Sequence, residues 1–325
     1  MEQFSYENRI EIEKLKTGVD HIKDELAKVI VGQHNFIDLM LTALLADGHV
    51  LIEGVPGIAK TITAKLLAKT LKTDFSRIQF TPDLMPSDIL GTSVYNVKTT
   101  EFEFHKGPVF SNFVLIDEIN RSPAKTQAAL FEVMEERQIT IDGKTYQLKP
   151  PFFVIATQNP IEQEGTYALP EAQLDRFIFK IKVDYPNLNE EIQILKTHND
   201  RKGKKEETFI DTVISEDELI KYKNLVHDIH IDEKIIDYIA NIINKTRNHP
   251  HLFLGGSPRA SLATMNTSKA FAAIQGRDFV TPDDIKFVLP AVLRHRIILN
   301  PEQEMEGFNE DDVIKMIIES VEVPR

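Results

Sequence analysis

Gly54-Val55-Pro56-Gly57-Ile58-Ala59-Lys60-Thr61 lies between the apolar run Val50-Leu51-Ile52 and the helix-like stretch Thr61-Ile62-Thr63-Ala64-Lys65-Leu66-Leu67-Ala68. A strand delivers the chain, a glycine-rich loop wraps, and a helix N-terminus points at what the loop encloses. That arrangement holds a phosphate. Gly54 and Gly57 let the backbone turn its N–H groups inward, where side chains would obstruct an anion. Lys60 can reach the β- and γ-phosphates of a nucleotide, and the Thr61 hydroxyl can ligate Mg²⁺. The octapeptide departs once from the general G-x-x-x-x-G-K-[ST] pattern, because Ala59 stands where a second glycine is usual. Alanine costs nothing there in a right-handed helical conformation, and destabilises the loop at positive φ.

Composition narrows what can surround this loop. At 325 residues the chain has room for two domains. Its 42% hydrophobic and 27% charged content is ordinary for a soluble globular protein. The longest apolar stretch, Phe36 to Ala46, is short and interrupted by Asp38, so it reads as a buried helix and not a membrane span. The N-terminus lacks the basic and apolar regions of a signal peptide. With no cysteine, disulfides, thiolate metal sites and cysteine nucleophiles are excluded together. These features fit a cytoplasmic address. A net charge of −12 argues against a general grip on nucleic acid, which needs a basic footprint.

Ile12, Leu15, Val19, Ile22, Leu26 and Val29 recur at helical spacing, giving an amphipathic first helix; a second, buried helix spans about 34 to 46. Apolar strands then alternate with helices at Val50–Ile52, Arg77–Phe80, Phe113–Ile116, Phe152–Ala156 and Phe177–Val183. That rhythm specifies a parallel sheet covered by helices. The segment Asp83 to Ser111 reads as a helix interrupted by a hairpin, and residues 138–149 as a hairpin turning at Asp142-Gly143. After Asp184-Tyr185-Pro186 the composition shifts. Residues 187–207 read as a linker whose basic run, Arg201-Lys202-Gly203-Lys204-Lys205, is a solvated loop. Residues 208–325 read as a small helical domain, with helices starting at Ser257-Pro258 and Thr281-Pro282. The expected division is thus an α/β core over 1–186, a linker, and a helical second domain.

Phe113-Val114-Leu115-Ile116 ends in the paired acids Asp117-Glu118. In a parallel sheet, ligands bind at the carboxyl ends of strands, beside the phosphate loop. Asp117 is suited to hold Mg²⁺ through its water shell, and Glu118 to polarise an attacking water. Phe153-Val154-Ile155-Ala156-Thr157-Gln158-Asn159 is a second apolar strand with a polar end, and Asn159 can bond a γ-phosphate, orient the water, or simply form a turn before Pro160. Leu169-Pro170-Glu171-Ala172-Gln173-Leu174-Asp175-Arg176-Phe177 reads as a proline-started helix with Arg176 entering the last core strand and no obvious partner in its own chain. Arg259 starts a helix of the second domain and could reach the phosphates from there. His105 and His249-Pro250-His251 lack a third ligand at metal-binding spacing and read as surface histidines.

Taken together, these residues resemble the MoxR family of AAA+ ATPases along nearly the whole chain. The resemblance is carried by Val31-Gly32-Gln33, the phosphate loop with its alanine, Asp117-Glu118-Ile119-Asn120-Arg121, Ala156-Thr157-Gln158-Asn159-Pro160, Leu169 to Phe177, and Gly256-Ser257-Pro258-Arg259. It implies an α/β core with a parallel sheet flanked by helices, a C-terminal all-helical lid, and ATP with Mg²⁺ bound between them. It implies that Val31 and Gly32 lie near the adenine and that the loop from Gly54 through Val55, Pro56, Gly57, Ile58, Ala59, Lys60 and Thr61 to Ile62 holds the nucleotide. Metal contacts fall to Thr61 and Asp117. Asn159 matches the first sensor, Arg259 the second, and Arg176 the finger supplied to a neighbouring subunit. The 83–111 segment and the 138–149 hairpin match the insertions of the helix-2-insert clade. Family members resemble chaperones that mature partners bearing von Willebrand factor A-like domains, and they form rings, here expected to be hexamers. The reading is an ATP hydrolase that remodels a protein client. Its rivals are a nucleic-acid motor of the same superfamily, opposed by the acidic balance, and a nucleotide-gated scaffold, which would need none of Glu118, Asn159 and Arg176. A small-molecule kinase lacks a readable second substrate pocket.

Overall fold

Two helices, α1 (Tyr6–Ala27) and α2 (His34–Leu45), precede the sheet. The core then runs β1 (His49–Glu53), α3 (Lys60–Thr70), β2 (Phe75–Gln79), α4 (Pro86–Leu90), β3 (Gly91–Asn96), β4 (Glu101–Lys106), β5 (Phe113–Asp117) and α5 (Ala124–Glu136). It continues through β6 (Gln138–Ile141), β7 (Lys144–Gln147), β8 (Phe153–Gln158), α6 (Glu171–Leu174) and β9 (Phe177–Lys182). Helices α7 (Leu188–Asp200), α8 (Glu216–His227) and α9 (Glu233–Arg247) follow, then β10 (Leu252–Leu254), α10 (Pro258–Ile274), α11 (Pro282–Leu293), β11 (Ile298–Leu299), α12 (Pro301–Met305) and α13 (Glu310–Ser320). This computed structural model describes residues 6–159, 167 and 169–324, so Pro160 of the motif beside Asn159 lies outside it.

The five apolar runs form one parallel sheet in the order β2-β5-β8-β1-β9. Its central strands are covered on both faces, which is why Phe113–Ile116 and Phe153–Ala156 are buried throughout and read as continuous apolar runs, not alternations. One face packs on α1, α2 and α3; the other closes over Phe131, Met134 and Phe177. Ile12, Leu15, Val19, Ile22 and Leu26 of α1 are all buried, as the helical spacing requires. The two insertions are antiparallel hairpins, β3–β4 and β6–β7, the latter turning through Asp142 (φ 52°) and Gly143 (φ 73°).

Two features differ from the sequence reading. Residues 188–200 of the expected linker form α7, started by a capping box in which the Asn187 side chain accepts from the Asn189 and Glu190 amides and Glu190 answers to Asn187 N–H. The second domain is not purely helical either, because β10 and β11 pair antiparallel.

The second domain is fastened to the sheet by Arg294-His295-Arg296. Arg296 is nearly fully buried and donates to the Asp175 carboxylate at 2.6 Å and to the carbonyls of Asp175, Phe177, Ile178 and Val292. His295 Nε2 lies 2.8 Å from the Phe177 carbonyl, and Arg294 bonds the Lys180 carbonyl and Asp311. These side chains cover the outer edge of β9, whose carbonyls would otherwise be unpaired.

His49 opens β1 fully buried. The Val154 amide donates to its Nδ1 at 3.1 Å, so the ring proton sits on Nε2, 3.3 Å from the Met134 carbonyl. Burial, and secondarily the Arg137 charge, hold its pKa down at about 4, against 6.5 ordinarily. Between those values the unfolded chain binds a proton that the folded one refuses, so acid favours unfolding. Urea midpoints should therefore be flat for this group above pH 6.5 and fall from 6.5 towards 4. Its share should reach about 3 kcal/mol, and His49→Asn should remove that part of the acid slope.

Candidate functional site

The register of β8 brings the site together. It pairs with β1 through Leu51↔Ala156 and Glu53↔Gln158, and with β5 through Ile116↔Ala156. The carboxyl ends of the three strands therefore sit side by side, with the Gly54–Thr61 loop at one, Asp117-Glu118 at the next and Asn159 between them. Lys60, Thr61, Asp117, Glu118 and Asn159 line one cleft of about 390 Å³.

The loop is shaped by close packing. A Cβ on Gly54 would lie 2.5 Å from Ile58 Cδ1 and 2.8 Å from the Val183 carbonyl, so only glycine fits. Gly57 has φ 89°, a left-handed turn that leads into α3. Ile58 is buried and Val55 packs on the core, so these positions offer the cleft only their backbone. Ala59 has φ 62° and ψ 15°, a left-handed conformation that costs alanine energy; the inexpensive alternative does not hold. Lys60 donates to the Gly54 carbonyl across the loop. Burial lowers its pKa, with Asp117 and Glu118 pulling in the opposite direction.

The acids are held tightly. Asp117 is buried; Arg77 Nε donates to its Oδ2 at 2.6 Å and the Thr157 hydroxyl to its Oδ1 at 3.3 Å. Glu118 has φ 58°, left-handed, and the Thr157 oxygen accepts from its N–H at 3.1 Å. Its carboxylate receives Gln79 Nε2 at 2.8 Å and Arg121 Nε at 3.0 Å. Strained non-glycine backbone at two positions of one cleft is the kind of feature that marks functional sites. Sequence reasoning missed Arg77, Gln79 and Thr157. The signal was there in β2: Arg77 and Gln79 alternate with buried Ile78, so both project to one face at the strand end.

A second cleft of about 530 Å³ adjoins the first and shares Gly57, Ala59 and Ile62 with it. Its wall is largely apolar, with Val31, Pro186, Ile194 and Leu195, suiting a flat heterocycle joined to phosphates next door. Gly32 does not line it; it adjoins Glu190 and a smaller pocket. Arg201 does, and so departs from the solvated run expected for residues 201–205. It is largely buried and donates to the Val29 carbonyl at 2.9 Å, while Lys202, Lys204 and Lys205 are exposed.

The two remaining arginines stand elsewhere. Arg176 does have partners in its own chain, contrary to the sequence reading: it donates to the Phe131 carbonyl at 2.7 Å and lies 3.3 Å from Glu135. Arg259 does not reach its own chain's cleft. It is exposed at the start of α10, 3.5 Å from Asp175, the residue next to Arg176. The second domain docks through Arg296 onto Asp175, and the start of α10 then lies beside α6 and Asp175 instead of over the loop. The His249 and His251 rings lie 5.1 Å apart and His251 stacks on Phe308; no group of three metal-binding side chains occurs among the described residues.

Residues 49–179 match the family described as ATPase family associated with various cellular activities (AAA), and residues 244–317 match the AAA lid domain. The chain is 41% identical to Chaperone MoxR1 of Mycobacterium tuberculosis, over 93% of this chain and 81% of that protein. It is 29% identical to Protein MoxR of Methylorubrum extorquens, over 92% and 93% of the two chains. An uncharacterised Bacillus subtilis protein, YeaC, is 49% identical over 95% of each chain. The crystal structure of a Cytophaga hutchinsonii protein described as a candidate ATPase superposes with a TM-score of 0.90 at 42% identity, covering 97% of each chain.

The loop geometry predicts opposite outcomes for two similar substitutions. Ala59→Gly relieves the left-handed strain and should raise stability by up to about 1 kcal/mol, less the entropy that glycine loses. Gly54→Ala should lower the melting temperature and abolish nucleotide binding. Calorimetric melts of the two variants check both signs.

Proposed function

The chain belongs to the MoxR family of AAA+ ATPases, and from that membership we propose that it hydrolyses ATP with Mg²⁺ to remodel a protein client. The observation that carries the reading is the meeting of Lys60, Asp117, Glu118 and Asn159 in one cleft beside an apolar one. A cradle that excludes a Cβ at Gly54, and the N-terminus of α3, suit a polyphosphate. Two hard oxygen donors, the Thr61 hydroxyl and the Asp117 carboxylate, suit Mg²⁺ and would hold it. The metal, when bound, supplies charge neutralisation at the β- and γ-phosphate oxygens.

The protein's own groups would then divide the work. Lys60 pairs the β- and γ-phosphates. Glu118, held by Gln79 and Arg121, takes a proton from the attacking water, and Asn159 orients that water or the γ-phosphate. Val31 and the apolar wall receive the base. Arg176 and Arg259 flank Asp175, away from Lys60, and in this reading they serve the phosphates of a neighbouring copy. The working form is accordingly a ring, taken as a hexamer. The relative named Chaperone MoxR1 supports a protein client; that the client carries a von Willebrand factor A-like domain is taken from the family resemblance alone. Among the described residues no helix is long and apolar enough to cross a membrane.

Glu118→Gln should bind ATP as wild type does yet lose turnover by about 10²–10⁴-fold, the range of a positioned base. Lys60→Ala should lose tight ATP binding in calorimetry. If Glu118→Gln turns over normally, hydrolysis at this cleft is wrong.

Arg176→Ala should bind ATP but lose about 10³–10⁵ in turnover. Mixed with the equally inactive Lys60→Ala, it should regain activity, because some interfaces then hold an intact loop and an intact arginine. Co-assembled mixtures that stay inactive would return Arg176 to a purely structural role at Phe131 and Glu135.

A further inference from the structure

Resting on the ATP reading, we propose that Arg77 is a built-in counter-cation that occupies the metal's electrostatic place at Asp117 and sets how strongly nucleotide binding depends on Mg²⁺. Arg77 Nε is 2.6 Å from Asp117 Oδ2, and its guanidinium reaches Gln79 Oε1 at 3.4 Å, the amide that also holds Glu118. The Asp117 side chain is 10% exposed, whereas Arg77 is 54% exposed. A nearly buried carboxylate is thus neutralised by a cation with one side free to move into solvent. Without that partner, Asp117 would keep only the Thr157 hydroxyl bond and the more distant Lys60 charge until a metal arrived.

Charge bookkeeping in the cleft gives the direction. Arg77 and Lys60 are positive and line the same cleft as Asp117 and Glu118. A polyphosphate entering alone meets both cations and the carboxylates already paired. A dication entering with it meets a guanidinium in contact with its own ligand. Like charges sharing a ligand oppose one another, so Arg77 strengthens metal-free nucleotide binding and weakens the gain from metal. Lys60 attracts Asp117 only through space, because its ammonium is bonded to the Gly54 carbonyl and not to the carboxylate. Arg121 is held on Glu118 at 3.0 Å.

The readout is a ratio of affinities and not a rate. The dissociation constant of AMP-PNP is measured by calorimetry with EDTA and with saturating Mg²⁺, for wild type, Arg77→Met, Arg77→Gln and Arg77→Lys. Both neutral variants should raise the EDTA-to-Mg²⁺ ratio about fivefold or more, with weaker binding in EDTA, and Arg77→Lys should stay near wild type. Because Arg77 is half exposed, the variants should fold, which a melt of each confirms. An unchanged or smaller ratio in the neutral variants overturns the proposal, as does an equal rise in Arg77→Lys. Wild type that binds no AMP-PNP in either condition overturns the ATP reading itself; binding with an unmoved ratio overturns only the role of Arg77.

Discussion

Everything chemical in this protein depends on β8 sitting between β1 and β5. A parallel strand hydrogen-bonded on both sides fixes its neighbours in register, and that register sets the loop after β1, the acids after β5 and Asn159 after β8 on one line. Because the three strands are buried on both faces, a slip would expose apolar side chains along their whole length. The cleft therefore inherits its precision from the core and needs little of its own. What it adds is strain: Ala59 at the entry to α3 and Glu118 just after β5 both hold left-handed backbone beside the cleft.

The side of the molecule away from Lys60 is organised by a different interaction. Arg296 makes four bonds to the end of α6 and the start of β9, and in doing so clamps the second domain against the sheet's edge. The same contact leaves Asp175 between Arg296 and Arg259, one residue before Arg176. The docked second domain thus sets Arg259 against Asp175, the residue before Arg176, and neither arginine lines the cleft of Lys60. This is the geometric reason for reading the site as shared between copies.

Much of this was legible in the sequence because it rests on period and on glycine. The five strands, the loop, the paired acids and both hairpins were each marked by apolar runs, by turn residues or by proline and serine at helix starts. What was not legible depended on contacts between distant segments. Nothing local shows that Arg77 meets Asp117 across forty residues, that Arg201 is buried against Val29, or that Arg176 finds the Phe131 carbonyl. Nor does anything local show where Arg259 lies, because its position beside Asp175 depends on where Arg296 docks the domain. The sign of φ at Ala59 could only be posed as a question, since alanine is compatible with both answers at different cost.

Turnover of ATP in ¹⁸O-labelled water, with mass analysis of both products, tests the central claim that the cleft activates water against a γ-phosphate. Inorganic phosphate carrying one solvent oxygen, with none in ADP, is the result this geometry requires. Label in ADP, transfer of the phosphate to another acceptor, or ATP bound with no phosphate released would each contradict it.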